Sequence, residues 1–442
     1  VFASIRYFLA DVGHWIWSHR LVSAAILVGA LAAAAAIYLA AGGGDNGTAV
    51  SAEPAPAPRV VVKEVPAPEN TDDLGFPSFA TKNTTRVSGA DAIADAAAVA
   101  LAVYPSTGGV PGPDAVTLVD SGEWPAAVAA ASLAAAPVSA PLLVSESGEL
   151  PPLSATALRE LDPQGSAATA GRQVFVIGAA AEPADFETLN VDGADAAEVA
   201  AEVARLRERL AGEPDQIVIT SDEAAGYAMP AAGWAARSGD PVLFTDKDSL
   251  PDATVKALRR DDGVPVFVLG PESAISAATM KEIEHVAPGA QRVGEEGPVE
   301  NAIAFARYAN GNFGWNINDP GHGFVIANTD RPLDAAAAAP LSASGTWGPL
   351  LVTDDGAALP APLRGYLLDL KPGYADDPTR ALYNHVWLIG DTSALSVDLQ
   401  AEVDELAEVA PVTSGSGSAA TPAPTPESQP NEPQQPNPDQ QK

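Results

Sequence analysis

The chain has 442 residues and no cysteine, which excludes disulfides, thiolate metal sites and a cysteine nucleophile together. Basic residues are scarce: 24 Lys and Arg stand against 57 Asp and Glu, a formal net charge of −33. Such a surface repels phosphate backbones, so no nucleic-acid partner is expected. Between residues 85 and 412 fall 47 of the acids but only 18 of the bases, so the acidic excess sits on the central region. That charge suits a soluble exterior domain, a salty habitat or the binding of divalent cations, and composition does not choose among them. Several motifs are also missing. The chain holds no Gly-x-x-x-x-Gly-Lys-Ser/Thr, no Gly-x-Gly-x-x-Gly behind a strand, no His-Glu-x-x-His and no Gly-x-Ser-x-Gly elbow.

What the chain does contain is a segment written three times. The copies are Pro141-Leu-Leu-Val-Ser-Glu-Ser-Gly-Glu-Leu-Pro151, Pro241-Val-Leu-Phe-Thr-Asp-Lys-Asp-Ser-Leu-Pro251 and Pro349-Leu-Leu-Val-Thr-Asp-Asp-Gly-Ala-Ala-Leu-Pro360. Each is followed by an apolar run ending in glycine: Val174-Phe-Val-Ile-Gly178, Val266-Phe-Val-Leu-Gly270 and Val386-Trp-Leu-Ile-Gly390. Each is preceded by another apolar run, at Ala115–Val119, Gln216–Thr220 and Gly323–Ala327, and then by an alanine-rich stretch. Short uninterrupted apolar strands alternating with helices predict a parallel sheet covered on both faces. One unit therefore reads strand–helix–strand–helix–strand–helix. The fold class expected is α/β: three tandem modules, each a small parallel sheet flanked by helices. Each unit has a leading segment, Thr85-Arg-Val-Ser-Gly-Ala-Asp91, Leu189-Asn-Val-Asp-Gly-Ala-Asp195 and Gln291-Arg-Val-Gly-Glu-Glu296, with a helix predicted behind it. In the second of these helices Val199, Val203, Leu206 and Leu210 share one face, and Gly212 stops it.

The flanks differ in kind. Leu21 to Ala41 is an uncharged apolar run long enough to cross a bilayer as a helix. Arg6 and Arg20 precede it and Asp45, Glu53, Asp72 and Asp73 follow, which sets the short N-terminus (1–20) inside and the bulk outside. A cleaved signal peptide is the rival reading, although its apolar region is normally only about 7–15 residues long. Residues 42–84 are rich in Pro and Gly and read as an extended tether. Residues 413–442 have almost no apolar side chain and read as a disordered Pro/Gln-rich tail. The modules are then 85–188, 189–290 and 291–412.

Taken together, the Arg-Val-Ser-Gly-Ala-Asp leading segment, the alanine-rich helix, the Pro-Leu-Leu-Val strand closing in Leu-Pro and the Val-Phe-Val-Ile-Gly strand resemble the cell wall-binding repeat type 2 family. The resemblance covers Thr85 to Val412 as three modules. It implies a pseudo-threefold packing of the modules and non-covalent attachment to Gram-positive walls, through anionic wall polymers lying in clefts between modules. It also implies a separate domain carrying any activity, and only tether and tail remain here. The chain departs from the family pattern in places. Ala92-Ile93 replaces an expected Arg-Tyr, Asn190 stands where Arg is usual, and Glu295-Glu296 displaces Gly-Asp. The third unit carries an Asn/Gly-rich insertion near Asn310 to Pro320.

Arg86, Arg237, Arg292 and Arg331 are scarce bases at motif positions. Their forked guanidinium groups suit carboxylate or phosphate, so they are the candidate polymer-binding residues. Inter-module ion pairing is the alternative role. Asp246, Asp248, Asp354 and Asp355 fall at the carboxyl ends of strands, the edge where open α/β sheets bind ligands, and oxygen ligation of a divalent cation is one use for them. Loop or helix-start roles are the other. No organic cofactor and no catalytic residue are expected. The reading is a membrane-tethered, wall-associated binding protein outside the cell, without catalysis. Its partner would be a wall polymer or peptidoglycan-associated glycan. Two alternatives stay open: a receptor for a small molecule or peptide, and a wall hydrolase using His322 or His385.

Overall fold

The computed structural model describes residues 79–87, 89–105 and 111–412. The apolar run at 21–41, most of the tether and the tail lie outside the described residues. Among the described residues no helix is long and apolar enough to cross a membrane.

In chain order the first unit runs through β1 (Phe79–Ala80), β2 (Thr84–Val87), α1 (Ala92–Val103), β3 (Val116–Asp120), α2 (Trp124–Ala130, continued by a 3₁₀ turn Ala131–Ala134), β4 (Leu142–Ser145), α3 (Pro152–Leu161) and β5 (Val174–Ile177). The second runs through β6 (Thr188–Val191), α4 (Ala196–Ala211), β7 (Ile217–Ser221), α5 (Ala225–Ser238), β8 (Val242–Thr245), α6 (Asp252–Arg260), β9 (Val266–Leu269) and α7 (Ala277–Val286). The third runs through β10 (Gln291–Val293), α8 (Pro298–Arg307), β11 (Gly323–Asn328), α9 (Leu333–Ser344), β12 (Leu350–Thr353), α10 (Ala361–Asp369), β13 (Gly373–Tyr374), β14 (His385–Ile389), α11 (Val397–Ala407) and β15 (Ala410–Pro411). Beyond a two-stranded ribbon of β13 and β15, three sheets form, ordered β4-β3-β5-β6, β8-β7-β9-β10 and β12-β11-β14-β2-β1. Every pairing in them is parallel except β1 with β2. The expected architecture of three α/β units is therefore the observed one.

The strands explain themselves. The runs at β4, β8 and β12 are buried along their whole length, as strands covered on both faces must be. The prolines that close each repeated segment, Pro151, Pro251 and Pro360, stand at the N-caps of α3, α6 and α10, where a fixed φ costs nothing. One turn in, Ser154 Oγ donates to Val144 O at 2.6 Å and Thr254 Oγ1 to Phe244 O, tying helix to strand in the first two units. The leading helices α1 and α4 begin on Asp91 and Asp195, whose carboxylates accept from backbone N–H groups inside the first turn. Val199, Val203 and Leu206 are buried on α4, and the helix ends at Gly212 as its periodicity requires.

Alanine decides how closely the units approach. Ala335 to Ala339 on α9 are at most 1% exposed, and Ala231, Ala232, Ala235 and Ala236 on α5 are fully buried. The three equivalent helices α2, α5 and α9 pack on one another at the centre. Gly233 of α5 faces Leu350 and Ser342 of the third unit so tightly that a Cβ would stand 3.2 Å from both. Small side chains give no deep interdigitation, but they admit backbone to backbone contact over the length of a helix.

Each sheet takes its fourth strand from the leading segment of the next unit. Strand β6 pairs with β5, and β10 with β9. The ring then closes on itself, because β2, from the start of the repeat region, pairs with β14 near its end, Thr84 against Val386 and Val87 against Ile389. The leading helices follow the same cycle: α4 lies on α2, α8 on α5, and α1 on α9. Composition reads residues 79 to 84 as tether, but they belong to this closure. Thr81 Oγ1 and Asn83 N both donate to Asp404 Oδ1, on α11, more than 300 residues away.

The first unit lacks the helix expected after its third strand. The second and third units carry Ser-Ala-Ile-Ser276 and Ser-Ala-Leu-Ser396, whose final serines cap α7 and α11. The first has Ala-Ala-Ala-Glu-Pro183 there, with no cap and a proline, and runs straight into β6.

Candidate functional site

The four arginines were grouped by residue type, and the fold separates them. Arg86 on β2 is 2% exposed. Its Nε donates to Gln400 Oε1 at 2.9 Å, Nη1 to the carbonyls of Gly390 (2.9 Å) and Asp391 (3.0 Å), and Nη2 to Ser396 O at 3.3 Å. Burial pushes its pKa down to about 10, against the opposing pull of Asp391 and Asp95. No polymer reaches this guanidinium. It is a staple between β2 and the last unit.

Arg292 on β10 repeats the arrangement one sheet earlier, donating to Gly270 O at 2.7 Å and Ile275 O at 2.8 Å. It is only half-buried, and burial lowers its pKa. Arg292→Ala is expected to lower the unfolding free energy by about 1–2 kcal/mol, read as a lower denaturant midpoint at unchanged slope. In the first sheet the same position is Asn190, which reaches only Glu182 Oε2 at 3.3 Å. The three strand-end glycines are equivalent: the N–H of Gly178, Gly270 and Gly390 donates to Val191, Val293 and Val87 respectively. Gly390 has φ +103, and a Cβ there would stand 3.0 Å from Arg331 Nη1, so both conformation and space require glycine.

Arg331 lies between two fully buried carboxylates. It pairs with Asp95 on α1, and its Nε sits 2.8 Å from Asp334 Oδ2 without the alignment of a hydrogen bond. Asp95 Oδ1 has no hydrogen-bond partner among the described residues. Burial, with Asp334 beside it, pushes Asp95 well above the usual carboxylate range. Burial likewise raises Asp334 to about 7, although Arg331 pulls the other way. One guanidinium does not hold two ionised carboxylates in a dry site, so the cluster keeps a proton. It stands only where the first unit meets the third; on α4 and α8 the position of Asp95 is Val199 and Asn301. A second inter-unit staple, Arg207 on α4, donates to Ala136 O at 2.6 Å and Ala135 O at 3.4 Å. Inter-module ion pairing, the alternative role read for the arginines from sequence, is the one Arg331 fills, whereas Arg207 is not among the sequence candidates. The sign available for Arg207 was a single base on the apolar face of a helix.

The acids proposed for a cation are not gathered into a site. Asp246 Oδ2 accepts from Ser249 Oγ, and Asp248 is exposed. Asp355 Oδ1 accepts from the N–H groups of Ala357 and Ala358, which is a turn, and Asp354 is exposed beside it. No group of three or more metal-capable side chains occurs among the described residues. Asp222, at the end of β7, is raised to about 6 by burial and then by neighbouring Asp246. The histidines are equally unpromising for hydrolysis. His322 Nε2 lies 3.3 Å from exposed Asp319. His385 Nε2 lies 3.0 Å from Thr85 Oγ1, with its pKa pushed down by burial. Of the four arginines only Arg237 is exposed, its guanidinium 5.3 Å from the ring centroid of exposed Trp347.

Comparison with known proteins bears on this geometry. The profile of Cell wall binding domain 2 (CWB2) matches residues 190–280, which are the second unit almost in full. Two solved structures share the fold: Cwp6 from Clostridium difficile (TM-score 0.58, 18% identity, 74% of this chain and 47% of that one) and Cwp8 from Clostridium difficile (TM-score 0.57, 18% identity, 74% of this chain and 52% of that one). The chain thus spans about half the length of each. No curated protein matches it by sequence. Residues 190–280 thus match the Cell wall binding domain 2 family, and the strands and strand-end glycines of that unit recur in the other two.

Proposed function

We propose that this chain is a non-catalytic cell-surface protein that attaches to the cell wall by holding anionic wall polymers at the borders between its three units. The observation that carries the reading is the family match on the second unit, set in a closed ring whose other two units repeat its strands. Of the histidines weighed for hydrolysis, His322 meets only the Asp319 carboxylate and His385 meets the hydroxyl of Thr85, which is buried in β2, an arrangement that favours binding over catalysis. The acidic surface makes cations or local basic groups necessary for an anionic ligand. The apolar run at 21–41 would tether the same protein to the membrane.

Sedimentation of the purified full chain with protein-stripped walls of the source organism tests the reading. Co-sedimentation is expected, increased by millimolar calcium or magnesium if cations bridge. A chain that stays in the supernatant with and without divalent cations contradicts it.

A further inference from the structure

The aromatic and aliphatic side chains left in solvent are not scattered. Of the five large hydrophobic residues exposed among the described residues, three precede strands of the third sheet: Trp347 (56% exposed) before β12, and Leu382 (57%) and Tyr383 (56%) before β14. Between them in the sheet lies β11, entered through His322. The order β14-β11-β12 therefore sets Tyr383, His322 and Trp347 in a row along one edge, roughly 10 Å from end to end at the spacing of strands. Arg237 extends the row. It lies one turn beyond Gly233, on the face of α5 that meets the third unit, and its guanidinium covers the Trp347 ring.

The row is held rigidly. Asn384 Oδ1 accepts from Gly321 N and His322 N, and His385 N donates to His322 O. Gly321 packs against Leu382, and Gly323 against Thr346. Trp347 has φ +59, a left-handed conformation that costs a bulky residue about 1–2 kcal/mol, yet it stands there two residues after Gly345 and directly before Gly348. The indole is thus presented outward at a cost in strain. Arg237 has no carboxylate within ion-pairing distance among the described residues, in a chain where acids outnumber bases 57 to 24.

We infer that this edge binds an extended saccharide strand carrying anionic groups: a sugar face stacks on Trp347, a carboxylate or phosphate of the same strand meets Arg237, and Tyr383 with His322 takes the neighbouring residue. The inference deepens the wall-binding reading and rests on it. An aromatic plane paired with a forked cation suits a charged glycan. Three half-exposed side chains fall far short of the about 800 Å² per partner that a stable protein interface buries. The edge lies at the amino ends of the strands, opposite the carboxyl ends where ligands of α/β sheets usually sit; there, in the third sheet, Arg86, Arg331, Asp95 and Asp334 fill the space.

Titration calorimetry on the full chain tests it, with polysaccharide released by mild acid from walls of the source organism as ligand and dextran and polyphosphate as controls. Trp347→Ala is expected to weaken binding about tenfold, Trp347→Phe to retain most of it, and Arg237→Ala to weaken it several-fold and reduce its salt dependence, all with unchanged melting temperature. If wild type binds walls but both alanine variants bind the polysaccharide as wild type does, the inference falls and the wall reading stands. The same follows if wild type binds walls but not the released polysaccharide, or if polyphosphate binds as tightly. If wild type does not bind walls, the reading beneath it fails first.

Discussion

Arg86→Ala is expected to lower the unfolding free energy by about 3 kcal/mol, more than substitution of any exposed arginine in the chain. The substitution removes four donors from a buried site and leaves Gly390 O, Asp391 O, Ser396 O and Gln400 Oε1 to find other partners. Hydrogen bonds to a charged group contribute roughly 1.5–3 kcal/mol, and a buried acceptor left alone costs about 1–3. Arg86→Lys should recover only part of the loss, since a single ammonium does not span the fork from Gln400 to Gly390. Gln400→Ala should cost less, because Arg86 then keeps its carbonyls while Thr84 Oγ1 loses the donor from Gln400 Nε2. Chemical denaturation of the three variants checks the order. A variant Arg86→Ala within about 0.5 kcal/mol of wild type would mean that β2 is not held to the last unit as described.

The second large effect is a pH dependence of unusual sign. Most carboxylates in folded proteins are stabilised as anions, so stability falls as pH falls. Asp95 and Asp334 behave oppositely. Their folded pKa values are raised by burial, Asp334 to about 7. The folded state therefore binds a proton that the unfolded chain has released, since an unfolded Asp titrates near 3.9. The contribution is fully present below about pH 4 and is lost as pH rises from there through about 7. The loss is on the order of 4 kcal/mol for a shift of about three pKa units. Asp334→Asn should flatten this slope and raise the melting temperature at pH 8, because an amide there needs no proton. Asp222, raised to about 6, adds a smaller term of the same sign. Melting curves from pH 5 to 9 on wild type and Asp334→Asn separate the cluster from the rest of the acidic surface; parallel curves would remove it as the source.

The sequence carried the architecture further than it carried the site. Three copies of the Pro-Leu-Leu-Val strand, the glycine ending each third strand and the aspartates heading the leading helices are local signals, and each appears in the fold where the pattern set it. The closure is not local. Nothing at Phe79 to Val87 points to a partner near His385, and a proline-rich neighbourhood argued for tether instead. The choice between the two roles read for the arginines, polymer contact and inter-module pairing, is not local either. Residue type told that Arg86, Arg292 and Arg331 seek oxygen ligands, but whether those oxygens belong to a polymer or to the chain depends on the fold: for Arg86 the partners lie more than 300 residues away, and for Arg331 one carboxylate comes from the first unit. Trp347 gave no sign, because its exposure is set by the course of the loop from α9 to β12 and not by a local pattern.

A single ring, closed where β2 joins the sheet of β14, is the folding unit of this chain. Hydrogen exchange resolved to Thr84–Val87 tests that most directly. If β2 is an integral strand, its amides exchange at the slow rate of β14, and all three sheets open in one cooperative step. Fast exchange at Thr84–Val87 beside a protected β14, or three separate opening steps, would contradict it.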